Sequence, residues 1–343
     1  MEVQNFSAEQ ILGSKFPGDL FSKDTIKIKE ELRRLLKLWH PDVNHDPISA
    51  EVFNHIYELY HLGISQLESG KWETPGLLEI GTNSNQFRVK YKKHFEFELG
   101  DCYIGDYIIT YLIDKSYEDL FNNGRLTVNN FKYSSDRMKV EVMRYLPKPI
   151  RCFEIENKLG WVFEKTPDIL SLRDVLNCYG GKLDPRHVAW IMSTLHNITC
   201  YLEYAGLSHN DISLDTYFIS PKYHSGALLG GWWYATREGE RLIAVPNRTY
   251  QFMSTETKAS KIAFTKTDLE LIRAIGRELL GDSTGIRLNQ IEGIPKPLIS
   301  WLQLPSPTYS AIKDYSLWQK VLTDSFGPRK FVKMELTSNE LYK

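Results

Sequence analysis

The chain has 343 residues, with 42 Lys plus Arg against 43 Asp plus Glu, and it is 42% hydrophobic and 25% charged. That length supports about two domains with their own cores, and the composition excludes disorder as the main state. A near-zero charge balance without a long basic run gives no electrostatic ground for nucleic acid or membrane as a partner; the longest apolar stretch, residues 107–113, is far below the roughly 20 residues of a spanning helix, and no basic-then-apolar leader opens the sequence.

A short helical segment ending in Ile11-Leu12-Gly13 comes first. Residues 24–39, DTIKIKEELRRLLKLW, are expected to form a helix that starts on Ser22 or Asp24. It stops at His40-Pro41-Asp42, because Pro41 disfavours helical geometry at His40 and has no amide to donate. Ile28, Leu32, Leu35, Leu36 and Trp39 fall on one face, whereas Lys29, Arg33 and Lys37 recur at four-residue steps on another, with Arg34 beside them. A second helix, SAEVFNHIYELYHLG, spaces Phe53, Ile56, Tyr57 and Tyr60 for packing and is expected to run antiparallel to the first. Gly70, Pro75, Gly76 and Gly81 then gather within residues 70–86, which reads as a linker. Trp72, Leu77, Leu78 and Ile80 make it apolar enough for part of it to dock on a neighbour.

From 87 to 113 the pattern changes to strands with a Gly100-Asp101 turn, and strands are also expected at 137–145 and 150–164. After 165 the pattern is helical. The best-marked helix has Asp184 as N-cap, Pro185 in its first turn, Gly206 at its end, and a stripe of Val188, Ile191, Met192, Leu195, Ile198 and Leu202. Another spans 267–281. Cys102, Cys152, Cys178 and Cys200 form no CxxC pair, and the histidines at 45, 55, 61, 94, 187, 196 and 224 lack ligand spacing. A reducing cytoplasm is therefore expected, and no metal site.

The antiparallel helices joined by His40-Pro41-Asp42, with Trp39 before the turn, Asn44 after it and Phe53, Ile56 and Tyr60 beyond, resemble the J-domain of the DnaJ family. The resemblance covers about residues 5–66. It implies binding to a DnaK-type chaperone and stimulation of that partner's ATP hydrolysis, with Lys29, Arg33 and Arg34 steering the module onto an acidic surface and His40, Pro41 and Asp42 making the contact. On that reading the module breaks no bond itself and acts by favouring one state of the chaperone.

The stretch GLSHNDISLDTYFISP followed by GALLGGWWYA is similar to the core of a protein-kinase large lobe. His209-Asn210-Asp211 stands for the family's His-Arg-Asp, Phe163-Glu164 before SLRDVL for its hinge, and Asp268 for the acidic residue opening a buried helix. Phosphoryl transfer also needs metal ligands and a phosphate-binding lysine. The family's metal-binding Asn is Thr216 here, the next metal-binding Asp is replaced where the strand meets Gly230-Gly231-Trp232, and no GxGxxG loop occurs. No VAIK-like lysine is found, Lys115 being the nearest, and the glutamate that pairs with it falls on Gly124. His209 and Asp211 are thus expected to be a degenerate remnant, with Asp211 holding its loop by accepting backbone amides and Trp232, Trp233 and Tyr234 filling the nucleotide space.

The expected architecture is multidomain α+β: an all-α J-domain at 1–69, a linker at 70–86, and a bilobal kinase-like domain with a β-rich small lobe at 87–165 and an α-rich large lobe at 166–343. The same fusion is a feature of some bacterial and bacteriophage proteins, so the cytoplasm expected is a host's if the source is viral. The expected function is co-chaperone activity with the kinase-like domain as platform for an unidentified protein client, without a required cofactor; ATP and magnesium binding stay open. Two alternatives stand beside it. One is an active atypical kinase localised by its J-domain, with Asp211, Asp215 or another carboxylate taking the metal; the other is an assembly scaffold with a vestigial J-module.

Overall fold

The computed structural model describes residues 6–69, 72, 74, 76–82 and 85–342, so Gly70 and Pro75 of the expected linker lie outside the described residues. The chain divides into two compact units, residues 1–93 and 94–343.

In the first unit, α1 (Ala8–Gly13) starts with a capping box on Ser7 and α2 (Pro17–Leu20) with proline in its first turn. Asp24 accepts from the amides of Ile26 and Lys27 at 2.8 and 3.0 Å and so opens α3 (Lys27–Trp39) where its sequence indicates. His40 leaves helical geometry at φ −64° and ψ 127°, as the following proline requires. The antiparallel partner α4 (Ser49–Ser69) buries Val52, Ile56, Leu59, Gly63 and Gln66. Of the four residues expected on that face only Ile56 is fully buried; Tyr57 is 37% exposed. The true stripe lies one residue to the side, where it meets Ile11, Ile28 and Leu35, each at most 1% exposed.

The segment read as a linker is partly structured. Trp72 packs into the helical core, and β1 (Leu77–Thr82) pairs antiparallel with β2 (Asn85–Lys90), burying Leu78 and Val89. The apolar residues that set this segment apart from a free linker explain both features.

The second unit starts with β3 (Lys93–Phe97), β4 (Gly100–Ile104) and β5 (Ile108–Asp114), followed by α5 (Glu118–Asn129), α6 (Asp136–Val142), β6 (Lys148–Ile155) and β7 (Lys158–Glu164). The five strands form an antiparallel sheet in the order β3-β4-β5-β7-β6. Residues 137–145, expected as a strand, are instead α6 and a 3-10 turn, Met143–Tyr145. The Ser135 side chain caps the Met138 amide, Arg137 pairs with Glu141 one turn on at 3.1 Å, and Met138 and Val142 pack inward, which outweighs the strand preference of Val140, 75% exposed.

The rest is mainly helical. After β8 (Leu170–Ser171) and α7 (Leu172–Cys178) comes α8 (Pro185–Ala205), with Asp184 accepting from the Arg186 amide at 2.7 Å and Gly206 left-handed at φ 70°, the start and stop legible in the sequence. Short strands β9 (Leu207–Ser208), β10 (Tyr217–Ser220) and β11 (Ser225–Leu228) lead through a 3-10 turn, Trp232–Tyr234, to β12 (Thr236–Arg237). Then follow α9 (Asn247–Phe252), α10 (Thr255–Ser260), α11 (Thr265–Leu279), α12 (Lys296–Gln303), α13 (Ala311–Phe326) and α14 (Ser338–Leu341). Helices α8, α11 and α13 pack together around a core that runs continuously into the sheet. No helix among the described residues is long and apolar enough to cross a membrane.

Candidate functional site

In the first unit the site is the turn between α3 and α4. The backbone closes on itself through His40, whose carbonyl accepts from the Val43 and Asn44 amides at 2.9 and 2.8 Å, and Asn44 Nδ2 ties back to the Leu38 carbonyl at 3.2 Å. His40 Nδ1 accepts the Asp42 amide at 3.2 Å, and its ring stands edge-on to Phe53 at 5.2 Å. The imidazole is thereby held with its other nitrogen away from these contacts, while Pro41 and Asp42 are exposed. Lys29, Arg33, Arg34 and Lys37 are exposed along α3, and no described carboxylate pairs with any of them. A rigid turn with its histidine fixed in orientation, beside uncompensated positive charge, suits recognition of an acidic surface. The structure brings His40, Pro41 and Asp42 together at the end of the stripe formed by Lys29, Arg33 and Arg34.

In the second unit, the loop after β9 carries His209, Asn210 and Asp211. Asp268, near the start of α11, accepts the amides of His209 and Asn210 at 2.7 and 2.8 Å. It is this carboxylate that holds the loop. Asp211 does not do so as expected; no described group donates a hydrogen bond to its carboxylate, which reaches towards Gly231. Burial pushes the Asp211 carboxyl well above the usual carboxylate range, against the pull of Arg248, and burial also raises Asp268, to about 7. His209 lies beneath, its Nε2–H donating to the Gly230 carbonyl at 3.1 Å and its ring edge-on to Trp232 at 4.7 Å. Thr216 Oγ1 donates to the Asp211 carbonyl at 2.6 Å, and Asp215 is taken by a two-pronged pair with Arg173 at 2.9 and 2.8 Å.

Aromatic side chains close the space above this loop. Tyr111 on β5, 2% exposed, meets Trp233 at 5.0 Å, and Phe97 on β3 stacks on Trp233 at 5.2 Å. A Cβ on Gly230 would lie 2.6 Å from the Tyr111 hydroxyl. A Cβ on Gly124 of α5 would meet Trp161 and the Trp233 backbone at 3.1 Å, and neighbouring Asn123 donates to the Trp233 and Ala235 carbonyls at 2.9 Å each. From the turn between β3 and β4, Glu98 accepts from the Tyr234 hydroxyl at 3.3 Å and the Asn247 amide at 3.2 Å. Small sheet and helical region are thus tied together across the cleft.

No protein-family model and no curated protein matches the chain. Among solved structures, the kinase domain of BubR1 matches at 13% identity with a TM-score of 0.50, over 72% of this chain and 83% of that one. The chain carries a kinase-like fold. At this identity the likeness is one of fold, and the sheet order and the helices behind it are what it rests on.

Within that fold the parts needed for phosphoryl transfer can be followed one by one. A kinase carries its phosphate-binding lysine on the third strand of the small lobe, which is β5 here. The β5 side chain that reaches Gly230 is Tyr111, a residue that sequence reasoning passed over. Lys115, the nearest lysine expected, lies beyond the strand and pairs with Glu154 at the surface. The partner glutamate's expected place, Gly124, is packed shut, and the two positions expected to carry metal ligands hold Gly230 and Thr216. Among the described residues no group of three or more His, Cys, Asp or Glu side chains is placed to hold a metal ion.

The buried histidines give a pH dependence of known sign. His196, enclosed by Trp301, Trp318 and Tyr315, is pushed down to about 3 by burial, although Asp314 opposes this. With its folded-state value below the unfolded one, its contribution is present above about pH 6.5 and is lost as pH falls, because only the unfolded chain takes up the proton. Asp211 and Asp268, both raised, act in the opposite direction as pH rises, so the test is a difference. Between pH 7 and 5 the wild type should lose about 2 kcal/mol more stability than His196→Phe, measured by urea unfolding of both. Equal losses would refute the assignment.

Proposed function

We propose that the protein is a J-domain co-chaperone: residues 1–69 engage a DnaK-type chaperone in the cytoplasm and promote its ATP hydrolysis, and the kinase-like unit is a catalytically inactive platform for a protein client. The observation that carries this reading is the exposed His40-Pro41-Asp42 turn at the end of a basic stripe with no described counter-charge. Uncompensated Lys29, Arg33 and Arg34 would raise the rate of encounter with an acidic partner, and the fixed turn would set the register. Inactivity of the second unit is supported by the phenol at the lysine position and by Gly230 and Gly124, where added side chains collide. Holding client and chaperone on one chain raises their effective concentration for each other.

Binding of the full chain to an ATP-loaded DnaK-type chaperone tests the reading. Arg33→Glu should slow association about tenfold at low salt and leave dissociation nearly unchanged, the difference shrinking as salt rises. Association that is insensitive to both the substitution and salt would remove the role given to the α3 stripe.

A further inference from the structure

On the helical side of the second unit lies a separate cavity of about 540 Å³, bounded by α8, α13 and the segment at 327–332. Arg144, Arg186, Arg329 and Lys330 line it, and no Asp or Glu does. None of these four cations pairs with a described carboxylate; Arg144 lies over the Tyr145 ring at 4.6 Å and Arg186 over Phe326 at 5.8 Å. The four cations are solvent-exposed around a half-open cleft, and like charges gathered on one such surface repel one another most at low salt.

The wall between them is firmly built. His224 is held left-handed at φ 47°, between the Trp190 indole at 4.6 Å and the Phe331 ring at 4.2 Å, both nearly parallel to it. Its Nε2 is buried without a hydrogen-bond partner. A non-glycine residue in that conformation is strained and persists where surrounding contacts impose it. Here the stack fastens the 327–332 segment, and with it Arg329 and Lys330, opposite Arg186 on α8.

We propose that this cavity binds a small molecule carrying two or more phosphoryl groups. Guanidinium forks match phosphoryl oxygens in pairs, the ligand's negative charge relieves the mutual repulsion, and the volume is that of a small-molecule site. A concave volume of about 540 Å³ with cations on facing sides favours a free phosphorylated metabolite over a phosphopeptide laid on a flat surface. The proposal stands independently of the co-chaperone reading, which uses none of these residues.

The test is calorimetric titration of the full chain with tripolyphosphate in the absence of magnesium. Saturable one-to-one binding is expected, weakened about tenfold or more in the Arg186→Gln, Arg329→Gln pair, and unchanged in Arg33→Gln, Lys37→Gln on α3. Because the cavity cations repel one another, the first pair should unfold at the same or a higher temperature than wild type without ligand, which separates loss of binding from loss of fold. Absence of saturable binding at millimolar tripolyphosphate, equal weakening by both pairs, or binding of a phosphopeptide where tripolyphosphate fails would each overturn the proposal.

Discussion

His40→Gln is expected to abolish stimulation of a DnaK-type chaperone's ATP hydrolysis while leaving the first unit folded. The substitution spares the core, since His40 is half-exposed and its contacts are one edge-on ring and one accepted amide, the latter within reach of a glutamine oxygen. What changes is the fixed imidazole beside Asp42, presented by Pro41. Because the turn acts by binding one state of its partner more tightly than another, a loss of a few kcal/mol in that preference returns hydrolysis to its basal rate. Circular dichroism and the melting temperature should stay close to wild type. Full stimulation by the variant would show that the turn joins two helices and does nothing more.

Gly230→Asp, which adds a carboxyl beside Asp211 and beneath Tyr111, should destabilise the second unit by about 3 kcal/mol or more. Overpacking against the Tyr111 hydroxyl, 2.6 Å from the new Cβ, contributes about 1–3 kcal/mol, and a further carboxyl beside half-buried Asp211 adds desolvation and repulsion. The two sites are in contact, so their effects should not add: in a Tyr111→Ala background the cost of Gly230→Asp should fall by about 1 kcal/mol or more. Neither variant nor wild type should show a magnesium-dependent rise in melting temperature with ATP, although a magnesium-independent rise is expected from the cationic cavity. A magnesium-dependent rise in wild type would mean that the cleft admits nucleotide despite Tyr111 and Trp233.

Much of this architecture is legible in the sequence wherever local chemistry and tertiary packing agree. Asp184, Pro185 and Gly206 mark both ends of α8, and Pro41 stops α3, because caps and proline act through neighbouring backbone. The buried α4 stripe lies one residue from the expected one because the aromatic rings of Phe53 and Tyr57 offer a packing face as large as that of Val52 and Leu59, and only the position of α3 decides between them. For α6 the Ser135 cap and the Arg137–Glu141 pair were available signals that the β-branched residues obscured.

Tyr111 was hidden for a different reason. In IITYLID it reads as one more apolar strand residue, and its meaning depends on Gly230, more than a hundred residues later, having no side chain. The inward parity it shares with Ile109 and Ile113 was the clue within the sequence. The cavity cations come from distant stretches of chain and have no sequence pattern at all; only the packing of the 327–332 segment against α8 gathers them.

Steady-state ATP hydrolysis by a DnaK-type chaperone, with increasing amounts of the full wild-type chain, tests the central claim most directly. The account predicts a saturable acceleration that weakens as salt rises, in keeping with Lys29, Arg33 and Arg34 guiding the encounter. A rate that stays at the chaperone's own basal value at every concentration would contradict it.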